Sequence, residues 1–149
     1  MSNQLLFNIV NLTAMMGWLL LIFLPSWKWT GKIIIGFIIV LLASIYVYII
    51  AITFDLSVME SFSRLNNVMA LFNNEMAVLA SWIHYLAFDL MVGMFIVSNA
   101  AKNSIKHWMT IPALLGSFMF GPAGLLLYFI IRWIKTRRYF MNYPETKRV

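Results

Sequence analysis

The sequence predicts an all-α integral membrane protein, a four-helix bundle with a short amphipathic helix between its second and third spans. Three observations predict it. First, 62% of the 149 residues are hydrophobic and only 11% are charged, against roughly 45–50% and about 25% in soluble domains. A soluble chain of this length has too little interior to hide that much apolar surface. Second, four segments approach the ~20 apolar residues that a helix needs to cross ~30 Å of hydrocarbon. Third, none of the four alternates apolar and polar residues at every second position, which argues against a β-barrel. Short connections between the spans favour antiparallel neighbours. The whole chain, 1–149, is therefore read as a single transmembrane domain.

The first span, Leu5–Leu24, and the second, Ile33–Phe54, carry no charge. Leu5–Leu24 has no positive n-region and no A-x-A site behind it, so it is read as a retained anchor rather than a signal peptide. The turn from Pro25 to Lys32 holds Trp27 and Trp29, residues typical of the membrane–water boundary. The link after the second span is the longest. Ser57-Val58-Met59-Glu60 has the form of a capping box. Leu56, Met59, Phe62, Leu65, Met69 and Phe72 follow at three- and four-residue spacing, which predicts the short amphipathic helix. It is expected to lie at the membrane surface or over the bundle mouth as a connector, or as a gate for a lipid-soluble ligand. Asn73-Asn74 should end it and start the third span.

That third span, Met76–Ser98, is where chemistry is expected. It contains His84 and Asp89. Asp89 lies ~3 Å and His84 ~4.5 Å from the level of its middle residue, Ala87, at 1.5 Å rise per residue. A carboxylate at that depth costs ~2.5–3.5 kcal/mol on insertion scales, so it should face the interior and have a partner. In hydrocarbon it should hold its proton, the form a general acid requires. At 3.6 residues per turn, His84 and Asp89 are about 140° apart and serve different seams. Asp89 shares its stripe with Tyr85 and Trp82. His84 shares its face with Phe88 and Met91. Asn8 and Asn11 on the first span, and Tyr46 and Tyr48 on the second, are candidate partners. The plainer reading makes both residues structural glue, hydrogen-bonded between helices. One His and one Asp on different faces do not form a three-ligand metal site, so no metal is assigned.

The fourth span, Ile111–Ile131, is uncharged but contains Gly116, Gly121, Pro122 and Gly124. Pro122 should kink it and free the carbonyl of Phe118. That carbonyl could be offered to a ligand beside Asp89, while the small residues allow close helix approach. The basic tail, 132–149, follows. With four spans both termini share a side with Arg64. The opposite side holds Lys28, Lys32, Lys102 and Lys106. The dense Arg132–Arg138 cluster assigns both termini to the cytoplasm. A bacterial inner membrane is the expected setting. The net charge of +6 then reflects cations facing anionic lipid, at about 1 kcal/mol each. No soluble module accompanies them, so nucleic acid is not an expected partner.

Several strings occur together in order: Asn8-x-x-Asn11, Gly17-Trp18-Leu19-Leu20 with Pro25, Val68-Met69-Ala70-Leu71-Phe72, Trp82-Ile83-His84-Tyr85-Leu86-Ala87-Phe88-Asp89-Leu90 with Gly93, and Phe120-Gly121-Pro122-Ala123-Gly124-Leu125-Leu126. In these the chain resembles the abscisic-acid-deficient-four-like family over about residues 5–132. Plant members of that family are linked to neoxanthin synthesis in plastid membranes. The resemblance implies a carotenoid or other isoprenoid ligand. It also implies cofactor-independent isomerase chemistry of the epoxide-opening type. Asp89 would be the acid and His84 the base, with Asn11, Trp82, Tyr85 and Pro122 contacting substrate. Opening an epoxide to an allene exchanges no electrons, in keeping with the lack of a G-x-G-x-x-G string. Two other classes stay open. One is a non-catalytic lipid-binding or assembly protein, including a homo-oligomer. The other is a proton-coupled transporter, although no inverted repeat supports it.

Overall fold

The computed structural model describes residues 2–53 and 62–138. The described elements are helical throughout. They are α1 (Asn3–Phe23), α2 (Thr30–Ile33), a π-helical stretch (Ile34–Ile39), α3 (Val40–Thr53), α4 (Leu65–Leu71), α5 (Glu75–Lys102), a 3-10 turn (His107–Met109), α6 (Ile111–Phe120) and α7 (Pro122–Thr136). Among the described residues, three stretches are long and apolar enough to cross a membrane. These are Asn3–Phe23, Thr30–Thr53 and Glu75–Lys102, with window hydropathies of 2.0, 2.9 and 1.5. The last is the least apolar because it carries His84 and Asp89. Its 28 residues rise about 42 Å, well beyond the hydrocarbon thickness.

Local chemistry sets where these helices start. Ser2 is extended, and its hydroxyl accepts from the Leu5 amide at 3.3 Å, capping α1. The turn after α1 is closed by Thr30, whose hydroxyl donates to the Leu24 carbonyl at 2.5 Å. Asn74 caps α5. Its Oδ1 accepts from the Met76 and Ala77 amides at 2.9 and 3.1 Å, so the helix break expected at Asn73-Asn74 is present. Between α2 and α3 the chain passes through the π-helical stretch around Gly36 without leaving the helix.

The described residues form two compact units, divided between Met94 and Phe95. In the first, α1 buries Val10, Ala14, Gly17, Trp18 and Leu21, a stripe at helical spacing. Lipid is as apolar as leucine, so van der Waals fit and hydrogen bonds hold such helices together. Small residues provide the fit. A Cβ on Gly17 would lie 2.7 Å from Leu90 Cδ2, and one on Gly93 2.8 Å from Leu21 Cδ1. Large apolar side chains such as Leu12, Phe23, Phe37 and Ile52 are exposed. On a soluble protein they would be liabilities, whereas in a bilayer they face acyl chains.

Only part of the expected amphipathic helix lies in the described residues. Leu56, Met59 and the Ser57–Glu60 box fall outside them. What is described is α4, seven residues with none buried. Leu65, Met69 and Phe72 are more than half exposed.

In the second unit the structure corrects one expectation. Ile111–Ile131 is not a single kinked span. The helix ends at Phe120. Gly121 takes φ 45° and ψ −96°, in the positive-φ range that favours glycine. Pro122 then opens a new helix. At that first position its missing N–H removes no helical hydrogen bond, so proline suits it. The two helices fold back on each other. A Cβ on Gly124 would strike Ser117 N and Ala113 O and sit 2.5 Å from Gly116 C. In a straight helix Ala113 and Gly124 would be about 16 Å apart. Ser117 Oγ donates to the Gly121 carbonyl at 3.2 Å and ties the tip. At 10 and 15 residues, the arms reach about 15 and 22 Å, and neither crosses alone. Beyond the tip, Tyr128 is buried and donates to Asn99 Oδ1 at 2.6 Å. Phe95 meets Tyr128 and Phe129 edge-on, each at 6.2 Å.

Candidate functional site: two seams along α5

The stripe expected around Asp89 is present. Asp89 is buried, and the Tyr85 hydroxyl one turn earlier donates to it. Its Oδ2 is buried and accepts no hydrogen bond among the described residues. One turn before Tyr85, Trp82 Nε1 donates to Asn11 Oδ1 at 3.1 Å. Asn11 in turn donates to its own helix at the Phe7 carbonyl, 2.7 Å away. That bond fixes the amide so that its oxygen faces Trp82. Phe7, Trp82 and Tyr85 complete the row, with neighbouring ring centroids 5.7 and 5.6 Å apart. Four of the expected site residues (Asn11, Trp82, Tyr85 and Asp89) thus share one seam between α1 and α5. Asn8, a candidate partner for Asp89, instead accepts from Gln4 at 3.0 Å.

His84 occupies the other seam. Its ring stacks on Phe88 at 4.4 Å and meets Tyr46 of α3 at 5.7 Å. His84 and Tyr46 border a cavity of about 380 Å³ between α3, α4 and α5. That volume is within the ~300–1,000 Å³ usual for small-molecule sites. Ile50, Val68, Leu71, Phe62 and Phe72 make its walls largely apolar. Tyr46, Thr53, Asn74, Ser81 and His84 place hydroxyl, amide and imidazole groups among them. An apolar body with a few hydrogen-bonding atoms is the complement of such a site.

His84 therefore lines the cavity and Asp89 does not. The helical offset that separates them in sequence persists in the fold. Pro122 is exposed at the start of α7, and it is not among the cavity residues either. Sequence reasoning missed Thr53, Phe62, Asn74 and Ser81 as cavity residues. A signal for part of this was present. Ala77, Ser81 and His84 recur at four and three residues on one face of α5, and small side chains there leave room. Among the described residues no cluster of three or more His, Cys, Asp or Glu is placed to hold a metal.

A family model described as ABA DEFICIENT 4-like matches residues 5–128. The chain belongs to the ABA DEFICIENT 4-like family. The matched region runs from α1 to Tyr128, so both seams and the Gly121 tip are family territory, whereas the basic tail is not. No curated protein and no solved structure matches the chain.

Proposed function

We propose that this ABA DEFICIENT 4-like membrane protein binds a carotenoid-type isoprenoid and holds one oxygenated end of it beside His84. The observation that carries this reading is the cavity between α3, α4 and α5, apolar in its walls and edged by His84 and Tyr46. Its 380 Å³ suits a ring-sized end group, leaving a long hydrocarbon tail to run out among lipid chains. The Asn11–Trp82–Tyr85–Asp89 seam supports α5 from the opposite side and sets the rotation that points His84 into the cavity. Asp89 acts on this reading as a positioning residue. The protein works in a bacterial inner membrane.

An isomerase reading has one observation in its favour. His84 and Tyr46, a base and a hydroxyl donor, edge the same cavity. An epoxide opened there would take its proton from Tyr46 and lose one to His84, in place of the Asp89–His84 pair.

The test is solvent extraction of protein purified in mild detergent, alongside the variant Ser81→Trp. A stoichiometric polyene in the wild type, lost when the indole fills the cavity, is the expected result. Equal ligand content in both proteins would move the site elsewhere, and ordinary phospholipid alone in the wild type would end the carotenoid reading.

A further inference from the structure

We infer that the chain crosses the membrane three times, that α6 and α7 form a re-entrant hairpin, and that the ligand cavity opens to the leaflet away from the cytoplasm. The cavity's role rests on the function proposed above, whereas the crossing pattern does not.

The hairpin decides the crossing pattern. Neither arm reaches across ~30 Å of hydrocarbon, and the contacts of Gly124 with Gly116 and Ser117 bring α7 back along α6. A segment that enters and returns leaves its tail on the side from which it came. That side is where α5 ends, at Lys102. Tyr128 agrees with this. It bonds Asn99 in the last turn of α5, so Arg132, one turn further along α7, comes near the level where α5 leaves the membrane. Helix backbone at membrane depth is tolerated when its own hydrogen bonds are made. At the tip the backbone groups of Gly121 meet that condition: its N–H donates to the Ser117 carbonyl, and its carbonyl accepts from Gly124 N, Leu125 N and Ser117 Oγ.

Charge then sorts without ambiguity. With four crossings the described cations divide almost evenly. With three crossings and a hairpin, Lys28, Lys32, Lys102, Lys106 and the four cations of Arg132–Arg138 lie on one side, and Arg64 stands alone on the other. Lysine and arginine near span ends mark the cytoplasmic side. The bias favours a cytoplasmic C-terminus and an N-terminus across the membrane. This replaces the placement of both termini in the cytoplasm expected from four spans.

The cavity follows from the same assignment. Thr53 ends α3, Asn74 precedes α5, and Phe62 and Phe72 lie in the link between them. His84, on α5, is nine residues from the helix start, or about 14 Å. All of these sit in the half of the membrane that carries Arg64. A lipid-soluble ligand with a polar end would therefore be taken from the outer, non-cytoplasmic leaflet.

The chain has no cysteine, so single cysteines report position cleanly. Ser2→Cys, Asn66→Cys, Ser26→Cys and Arg138→Cys each alter an exposed residue. Intact bacterial spheroplasts would be treated with a membrane-impermeant maleimide, before and after permeabilisation. Labelling of Ser2→Cys and Asn66→Cys in intact cells, with Ser26→Cys and Arg138→Cys labelled only after permeabilisation, is expected. Arg138→Cys reacting in the same compartment as Ser2→Cys would restore four crossings and overturn the hairpin. Ser26→Cys and Arg138→Cys both reacting from outside would overturn the leaflet. If Arg138→Cys does not accumulate, Lys135→Cys reports the same side. Ligand content plays no part in this readout, so its failure is separable from failure of the binding reading.

Discussion

At the scale of single residues, α5 carries two polar side chains with different tasks. Asp89 is buried and hydrogen-bonded by Tyr85, and its second oxygen accepts nothing among the described residues. Hydrogen bonds between side chains in membrane proteins average about 0.6 kcal/mol and reach about 1.7. A double-mutant cycle of Tyr85→Phe and Asp89→Leu, read by reversible unfolding in detergent, should give a coupling in that range. A coupling of zero would mean that the Tyr85–Asp89 bond does not hold the seam. His84 faces the cavity instead, and in the proposed function its imidazole gives one hydrogen bond to a ligand oxygen. His84→Leu should weaken a hydroxylated isoprenoid about tenfold, the equivalent of ~1.4 kcal/mol, and leave its unsubstituted hydrocarbon analogue unaffected. Titration of both ligands against both proteins would check this. Equal weakening would show a packing change rather than a lost hydrogen bond.

Among the elements, glycine does two different jobs. Gly17 faces the far end of a flexible leucine, which can turn aside, whereas Gly124 faces backbone atoms of α6, which cannot. Gly17→Ala should cost about 1 kcal/mol and Gly124→Ala about 3 kcal/mol or more, following the costs of overpacking. Thermal unfolding in the same detergent would rank them. Similar small losses would imply that α6 and α7 are not pressed together. The motif around Gly121-Pro122 was legible as a site of broken helix. Its extent was not. A proline inside a helix commonly gives a kink, and sequence cannot tell a kink from a reversal when the chain has glycine on both sides of the bend. The Asn74 cap was legible, because an asparagine before an apolar helical run satisfies orphan amides by local geometry alone.

For the whole molecule, the proposed ligand and the membrane act together on stability. Anything that binds only the folded state adds RT ln(1 + [L]/Kd), about 2.7 kcal/mol at a hundredfold excess over Kd. A carotenoid-type isoprenoid should therefore raise the melting temperature of the wild-type protein and leave that of Ser81→Trp unchanged. An equal rise in both would assign the effect to the micelle. The basic residues belong to this scale as well. Taken singly they are lipid-facing cations worth about 1 kcal/mol each. Taken as a set, their distribution follows from how often the chain crosses.

Composition and periodicity alone determined the class of this protein, three of the four spans expected from it, and the stripe that joins Trp82, Tyr85 and Asp89. Those features depend on hydrophobic content and on 3.6 residues per turn, which are written along the chain. They also determined that His84 and Asp89 face different ways, since both lie on one rigid helix. Tertiary structure decided that Asn11 rather than Asn8 meets this stripe, that His84 meets Tyr46 across a cavity, and that residues 111–131 double back. Each of these turns on which surfaces touch, and contact between segments far apart in sequence leaves no period to read. The reversal at Gly121 is the clearest case. One positive φ angle converts a segment long enough to cross a bilayer into two that are too short.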